Sequence, residues 1–290
     1  MAVTLDYQKL KNRAFQELVQ TYGPKDCMLY ALGLGLGADP LDAQQLRFVY
    51  EENLAALPTM AVVLAGPGFW IKDPTVGIDW KAVLHGEQRL TIHRPLPTAG
   101  TVVGKMKVEE IVDKGTGKGA LLYSRRDLYD QPSGQAMCSL SATWVCRGEG
   151  GFGGPTGPIP SPHQLPDRAP DLSCDLPTLP QSALIYRLSG DYNPLHADPA
   201  VAASAGFAKP ILQGLCTYGV AGYAILRTLC ANDPTRLRRL DVRFSAPVYP
   251  GETIRTEIWN DGAGRASFRS RAVERDLVVL NNGLTEYESR

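Results

Sequence analysis

The sequence predicts an α+β protein in which one small fold is used twice. Three observations predict it. A stretch dense in glycine and proline, from Gly148 to Pro170, lacks apolar periodicity and reads as a linker between halves of similar size. The halves match weakly but in order. Met28–Gly33 parallels Leu184–Ser189, Pro40-Leu41-Asp42 parallels Pro194-Leu195-His196, Pro95–Gly100 parallels Pro247–Gly251, and Asp113–Gly117 parallels Asp261–Gly264. The offset stays at about 150 residues throughout. Each half also runs from a short irregular segment through a helical stretch into several strands, an α+β order. The expected organisation is residues 1–147, a linker over 148–170, and residues 171–290.

The second half shows the plan most clearly. Leu212 to Leu229 is apolar, rich in small residues and free of proline, which predicts a buried helix. Leu237–Phe244, Glu252–Asn260, Ala266–Glu274 and Val278–Glu288 alternate well enough for strands. Asn260-Asp261-Gly262 and Asn281-Asn282-Gly283 are hairpin signals.

Composition sets wide bounds. The chain has 290 residues, 44% hydrophobic and 21% charged, with formal net charge zero. That balance gives no bulk attraction to nucleic acid or to an anionic membrane. Arg236, Arg238 and Arg239 form the densest basic cluster and read as a solvated face. No run approaches the roughly 18 apolar residues of a membrane span. Met1 to Gln20 lacks a signal-peptide core, and the ending Glu288-Ser289-Arg290 is not the Ser-Lys-Leu address, so a cytoplasmic protein is expected. The six cysteines form no C-x-x-C pair and the four histidines no metal-ligand cluster. Free thiols and no metal are expected.

Chemistry concentrates in Gly190-Asp191-Tyr192-Asn193-Pro194-Leu195-His196-Ala197-Asp198-Pro199. Asn193-Pro194 signals a turn, and Asp198-Pro199 reads as an N-cap followed by proline at the first helical position. A bent backbone can aim Asp191 and His196 at one point, where an acid and an imidazole sharing a water perform general acid–base chemistry. The plainer alternative is a loop whose Asp and Asn side chains cap their own backbone. Asn193 itself either bonds the water or a catalytic side chain, or closes an Asx turn ahead of Pro194. In the first half the place of Asp191 falls near Leu34-Gly35, and that of His196 is taken by Asp42. One acid–imidazole pair is therefore expected, with the first copy released for another use. Gly33-Leu34-Gly35-Leu36-Gly37 lacks the strand–G-x-G-x-x-G–helix setting of a nucleotide loop, and Cys216 reads as core.

The segment Tyr186–His196 resembles the signature of the R-specific enoyl-CoA hydratases (hydratase 2) of the MaoC-like group. The likeness continues through Phe207–Thr217 and Val242–Gly251. His85-Gly86-Glu87-Gln88, with Pro95-Leu96-Pro97, resembles the N-terminal half of the two-domain members. The resemblance implies a double hotdog, two tandem domains each with an antiparallel sheet wrapped around a central helix, paired edge to edge. It implies that Asp191 and His196 hold the water that adds across a double bond, with Asn193 beside them. It places the N–H of Gly214, at the start of the helix, on the thioester oxygen, where enolate-like charge develops. It implies substrate or coenzyme A contacts at His85, Gly86, Lys114, Tyr192, Pro194, Leu195 and Phe244. Read from pattern alone, Lys114 is a solvated hairpin lysine, Phe244 a core aromatic and Gly214 a tight-turn glycine.

The function expected is reversible hydration of a trans-2-enoyl-CoA to a (3R)-3-hydroxyacyl-CoA, with no cofactor beyond the coenzyme A of the substrate. The partner expected is that thioester, with the chain a monomer or a homodimer of the double unit. A hotdog thioesterase and a non-catalytic acyl-CoA-binding protein are the rival readings.

Overall fold

The computed structural model describes residues 5–289. The chain ends read above for targeting signals, at Met1 and Arg290, lie outside the described residues. Among these residues, ten strands form one continuous antiparallel sheet. They are β1 (Leu18–Tyr22), β2 (Val83–Ile92), β3 (Gly100–Asp113), β4 (Ala120–Asp130), β5 (Ala136–Cys146), β6 (Leu172–Pro177), β7 (Leu237–Phe244), β8 (Thr253–Gly262), β9 (Arg265–Ala272) and β10 (Leu277–Tyr287). Their order is β1-β3-β4-β5-β2-β7-β10-β9-β8-β6, so the first five strands lie on one side and the last five on the other.

The seam is the β2–β7 ladder, from Glu87 opposite Arg243 to Thr91 opposite Arg239. Leu90 and Leu240 face each other there, both fully buried. The Arg243 guanidinium bonds Glu87 across the seam at 3.0 Å. Joining the halves this way removes one exposed edge from each sheet, which is where strands pair wrongly.

Among the described residues, six α-helices accompany the sheet: α1 (Tyr7–Lys11), α2 (Pro24–Gly33), α3 (Ala43–Val49), α4 (Ser182–Tyr186), α5 (Pro199–Ser204) and α6 (Gly214–Leu229). The buried helix expected from Leu212 is α6, held in the concave face of the second sheet, with Cys216 through Leu226 buried without a break. Glycine costs a helix about 1 kcal/mol relative to alanine, yet two glycines occur in its middle. Both are places of close approach. A Cβ on Gly219 would stand 2.7 Å from Leu34 Cδ2 and 2.8 Å from the Tyr30 hydroxyl, and one on Gly222 would stand 2.5 Å from Thr59 Cγ2. All three intruders come from the first half.

The first half treats its own central position differently. A six-residue 3-10 segment, Pro58–Val63, stands where the second half has a helix of sixteen residues. Pro58 starts it, and Pro67 with Gly66 and Gly68 ends regular structure soon after. The strand readings in the second half fall on β7 to β10. Asn281-Asn282-Gly283, read as a hairpin, instead lies inside β10. The pairing shifts there against both β7 and β9, and Asn282 has φ of 54°. A bulge of this kind bends a strand, here around α6. The turn from β9 to β10 is made by Val273–Arg275 and by Asp276 in the left-handed region.

The segment between β5 and β6 lies bound on the surface. Asp113 accepts from the N–H groups of Gly151 and Gly153, the Trp259 indole N–H donates to Arg168 O, and Asn282 Nδ2 donates to His163 O. The six cysteines are unpaired thiols.

Candidate active site

The turn that carries Asp191 and His196 follows α4. A short 3-10 turn, Arg187–Ser189, ends at Gly190, whose φ of 123° reverses the chain. Only glycine takes that conformation readily. Asp191 then accepts from Asn193 N–H at 3.2 Å, and Asn193 Oδ1 accepts from Leu195 N–H at 3.1 Å. Asn193 thus closes an Asx turn and caps Pro194–His196. Burial alternates along the motif. Tyr192 and Pro194 face solvent, Asp191, Asn193 and Leu195 are half-buried, and His196 is buried. The Arg187 guanidinium lies over the Tyr192 ring. Asp198 caps α5 by accepting from Ala200 N–H, with Pro199 at the first helical position, as its sequence implies.

His196 is oriented from outside the motif. Its Nδ1 lies 2.9 Å from Ile211 O, an acceptor only, so Nδ1 carries the proton and Nε2 is left as an acceptor. Burial holds its pKa below the usual 6.5. Asp191 opposes that shift and is close enough to act on the ring electrostatically. At neutral pH the site holds a neutral imidazole, with a lone pair on Nε2, beside the Asp191 carboxyl.

Three residues past Ile211 comes Gly214, the first residue of α6. Its N–H is among the helix-start donors that lack an intrahelical acceptor. A Cβ at Gly214 would stand 3.2 Å from Phe244 Cε1. Phe244 leads across the seam. Its ring centroid lies 4.8 Å from that of His85, and His85 stacks on Trp144 at 4.6 Å with an interplanar angle of 22°. Gly86 makes this possible. It interrupts the pairing of β2 with β5, and any side chain there would meet Val145 Cγ2 at 2.9 Å. His85 Nε2 donates to Glu87 O at 3.1 Å, and burial lowers its pKa to about 4, so the ring is neutral with Nδ1 as an acceptor.

The structure thus brings together Asp191, Asn193 and His196 on one turn, and Gly214, Phe244, His85 and Gly86 along one wall. Lys114 stands apart on the exposed turn between β3 and β4, its main-chain N–H donating to Gly119 O. Two contributors escaped the sequence reading. Ile211 acts only through a carbonyl, which no side-chain pattern reveals. Trp144 becomes visible once β2 and β5 are paired, because it lies opposite His85.

Among the described residues, the first half holds no acid–imidazole pair at the corresponding positions. Leu34 is buried against α6, and Asp42 caps α3 by accepting from Gln44 N–H, with Arg227 at 3.5 Å. Asp42→Ala should therefore cost about 1 kcal/mol of stability through the lost cap and leave kcat within about twofold. Urea unfolding and steady-state rates check this. A collapse of kcat at unchanged stability would place chemistry in the first half. Cys216 donates to Gly33 O, and burial pushes its thiol far above the usual range, which suits a core residue and not a nucleophile.

The strand order and helices define a double hotdog, with an acid and an imidazole on one turn of the second half. Comparison with known proteins gives the same fold and a family. Residues 20–148 match the MFE-2 hydratase 2 N-terminal domain, and residues 162–282 match the MaoC like domain. The chain is 43% identical to 3-hydroxyacyl-thioester dehydratase Y of Mycobacterium tuberculosis, covering 91% of this chain and 92% of that one. It is 40% identical to probable enoyl-CoA hydratase 2 of Dictyostelium discoideum, covering 99% and 98%. The crystal structure of a MaoC-like dehydratase from Phytophthora capsici superimposes with a TM-score of 0.86 at 36% identity, covering 98% and 99%. The chain belongs to the MaoC-like hydratase 2 family and is an enzyme of the hydro-lyase class. Among the described residues, no helix is long and apolar enough to cross a membrane.

Proposed function

We propose that the protein hydrates trans-2-enoyl-CoA thioesters reversibly to (3R)-3-hydroxyacyl-CoA, using side chains and backbone alone. The observation that carries this reading is His196, neutral and with Nε2 available, on the same turn as Asp191 and tied to the segment that starts α6. A water held between Asp191 and His196 Nε2 gives a proton to the imidazole as its oxygen attacks the β-carbon. The Gly214 N–H holds the thioester oxygen as enolate charge develops there. The proton returns to the α-carbon, so one water adds and both side chains are restored. The neutral His85 ring and Phe244 form the wall along which the thioester arm lies, and Lys114 meets the coenzyme's phosphates. The (3R) outcome follows from the resemblance of the Tyr186–His196 motif.

The first half supplies room for the acyl chain. Its short Pro58–Val63 segment, in place of a long helix, and the apolar run through Val62, Leu64, Ala65 and Trp70 support this. Each CH₂ buried is worth about 0.8 kcal/mol. The specificity kcat/KM should therefore climb from crotonyl-CoA toward medium-chain enoyl-CoAs. Loss of enoyl absorbance without free thiol, with chiral analysis of the product, tests the reaction. Release of free thiol would make the enzyme a thioesterase. A best rate on crotonyl-CoA with an inert ten-carbon substrate would remove the acyl role of the first half.

A further inference from the structure

We infer that Arg126, in the first half, is a positioning residue for the catalytic turn of the second. The inference rests on the hydratase reading above.

Arg126 breaks the pattern of β4. Leu122, Ser124 and Leu128 occupy the same face of that strand and are buried, as alternation requires. The fourth member of the row is a guanidinium directed into the concave side of the sheet. Burial pulls its pKa down to about 10, and no carboxylate among the described residues pairs with it. Its partners are main-chain carbonyls. Nη2 donates to Val62 O at 2.7 Å and to Ala61 O at 3.3 Å, while Nε has no acceptor. Apolar side chains of similar volume often replace buried charge without loss of stability. What the guanidinium adds here is the hold on these two carbonyls.

Those carbonyls end the 3-10 segment Pro58–Val63, whose last oxygens have no acceptor role left inside the segment. Ala61 O also takes Leu64 N–H, and Val62 O is held by Arg126. The third, Val63 O, lies against Gly190, within 4.0 Å of where a Cβ would stand. On its other side the segment presses the Thr59 methyl onto Gly222 of α6. It is thus clamped between the first sheet, the catalytic helix and the residue immediately before Asp191. Gly190, at φ of 123°, has no side chain to fix its own position. Removing the guanidinium frees the Ala61 and Val62 carbonyls, loosens the adjoining Val63 that lies against Gly190, and lets the turn that carries Asp191 drift. A misplacement of about 1 Å can cost on the order of 10²-fold in rate. The His85 and Gly214 contacts are untouched, so binding should survive.

The test uses the full chain and crotonyl-CoA. Arg126→Met should lower kcat by about 10- to 100-fold with KM changed less than about threefold. Arg126→Lys, which still offers one donor to Val62 O, should recover part of the loss. In an Asp191→Asn background the same Arg126→Met change should cost less than about twofold more, because the group it positions is already disabled. Circular dichroism and thermal unfolding establish that each variant is folded. A folded Arg126→Met with kcat within about twofold of wild type overturns the inference, as does an equal loss in the Asp191→Asn background. If Arg126→Met does not fold, Arg126→Lys is read in the same cycle. A loss of about threefold or more that vanishes with Asp191→Asn supports the role, and wild-type kcat overturns it. A wild-type enzyme that fails to hydrate crotonyl-CoA or any longer enoyl-CoA sinks the hydratase reading itself. An active wild type with an indifferent Arg126→Met sinks only this inference.

Discussion

Asp191→Asn and His196→Ala should each lower kcat for hydration by about 10²–10⁴-fold, the range of general acid–base contributions, in a protein that still folds. The two side chains share one turn but are held by separate means. Asp191 is fixed by the Asn193 N–H, and His196 by the carbonyl of Ile211, fifteen residues later in the chain. Neither substitution breaks the Asx turn, which rests on Asn193 Oδ1 and Leu195 N–H. The pH dependence has a definite sign. Burial keeps the His196 pKa below 6.5, so the working neutral ring prevails at pH 7 and is lost as pH falls through that lowered value. The acid limb of kcat/KM should therefore lie below pH 6.5 and disappear in His196→Ala. Stopped-flow loss of enoyl absorbance between pH 5 and 9 measures it. A rate that rose toward pH 5 would mean that the protonated ring is the working form. Either variant keeping more than about a tenth of wild-type kcat would remove that residue from the chemistry.

A comparison of Gly214→Pro with Gly214→Ala should isolate the oxyanion donor. Proline is tolerated at the first position of a helix because its missing N–H has no intrahelical acceptor there. Gln213, at φ −57° and ψ 134°, already has the extended backbone that a following proline requires. The helix should therefore form in both variants, and both carry a Cβ that crowds Phe244 at 3.2 Å. They differ in the N–H. Removal of one oxyanion donor typically costs about 10²–10³-fold in kcat, so Gly214→Pro should fall that far below Gly214→Ala with little difference in KM. Equal rates for the two variants would show that the thioester oxygen is held by another group.

How far the sequence could be read depends on how local each feature is. Strands β7 to β10 and helix α6 follow from alternation and apolar continuity within single segments, and the structure places them where those patterns lie. The turn that carries Asp191, Asn193 and His196 was legible for the same reason, since the three sit within six residues and the capping signals of Asn193 and Asp198 are local. Asn281-Asn282-Gly283 misled because left-handed backbone is needed in a bulge as well as in a hairpin, and only pairing on both sides of β10 distinguishes them.

By itself, then, the sequence determined the repeat, the α+β order of its second copy, and a turn able to carry an acid and an imidazole. The tertiary structure alone decided what surrounds that turn. It set β2 against β7, which brings His85 and Trp144 to Phe244 from more than ninety residues away in sequence. It chose the Ile211 carbonyl to fix the His196 tautomer, and placed Arg126, Val62 and Val63 behind Gly190. It also explains why α6 carries Gly219 and Gly222, which make room for Tyr30, Leu34 and Thr59 of the other half. The physical reason is common to all of these. Main-chain carbonyls, small residues and cross-strand neighbours act through close contact between distant segments, and such contacts leave no periodic trace along the chain.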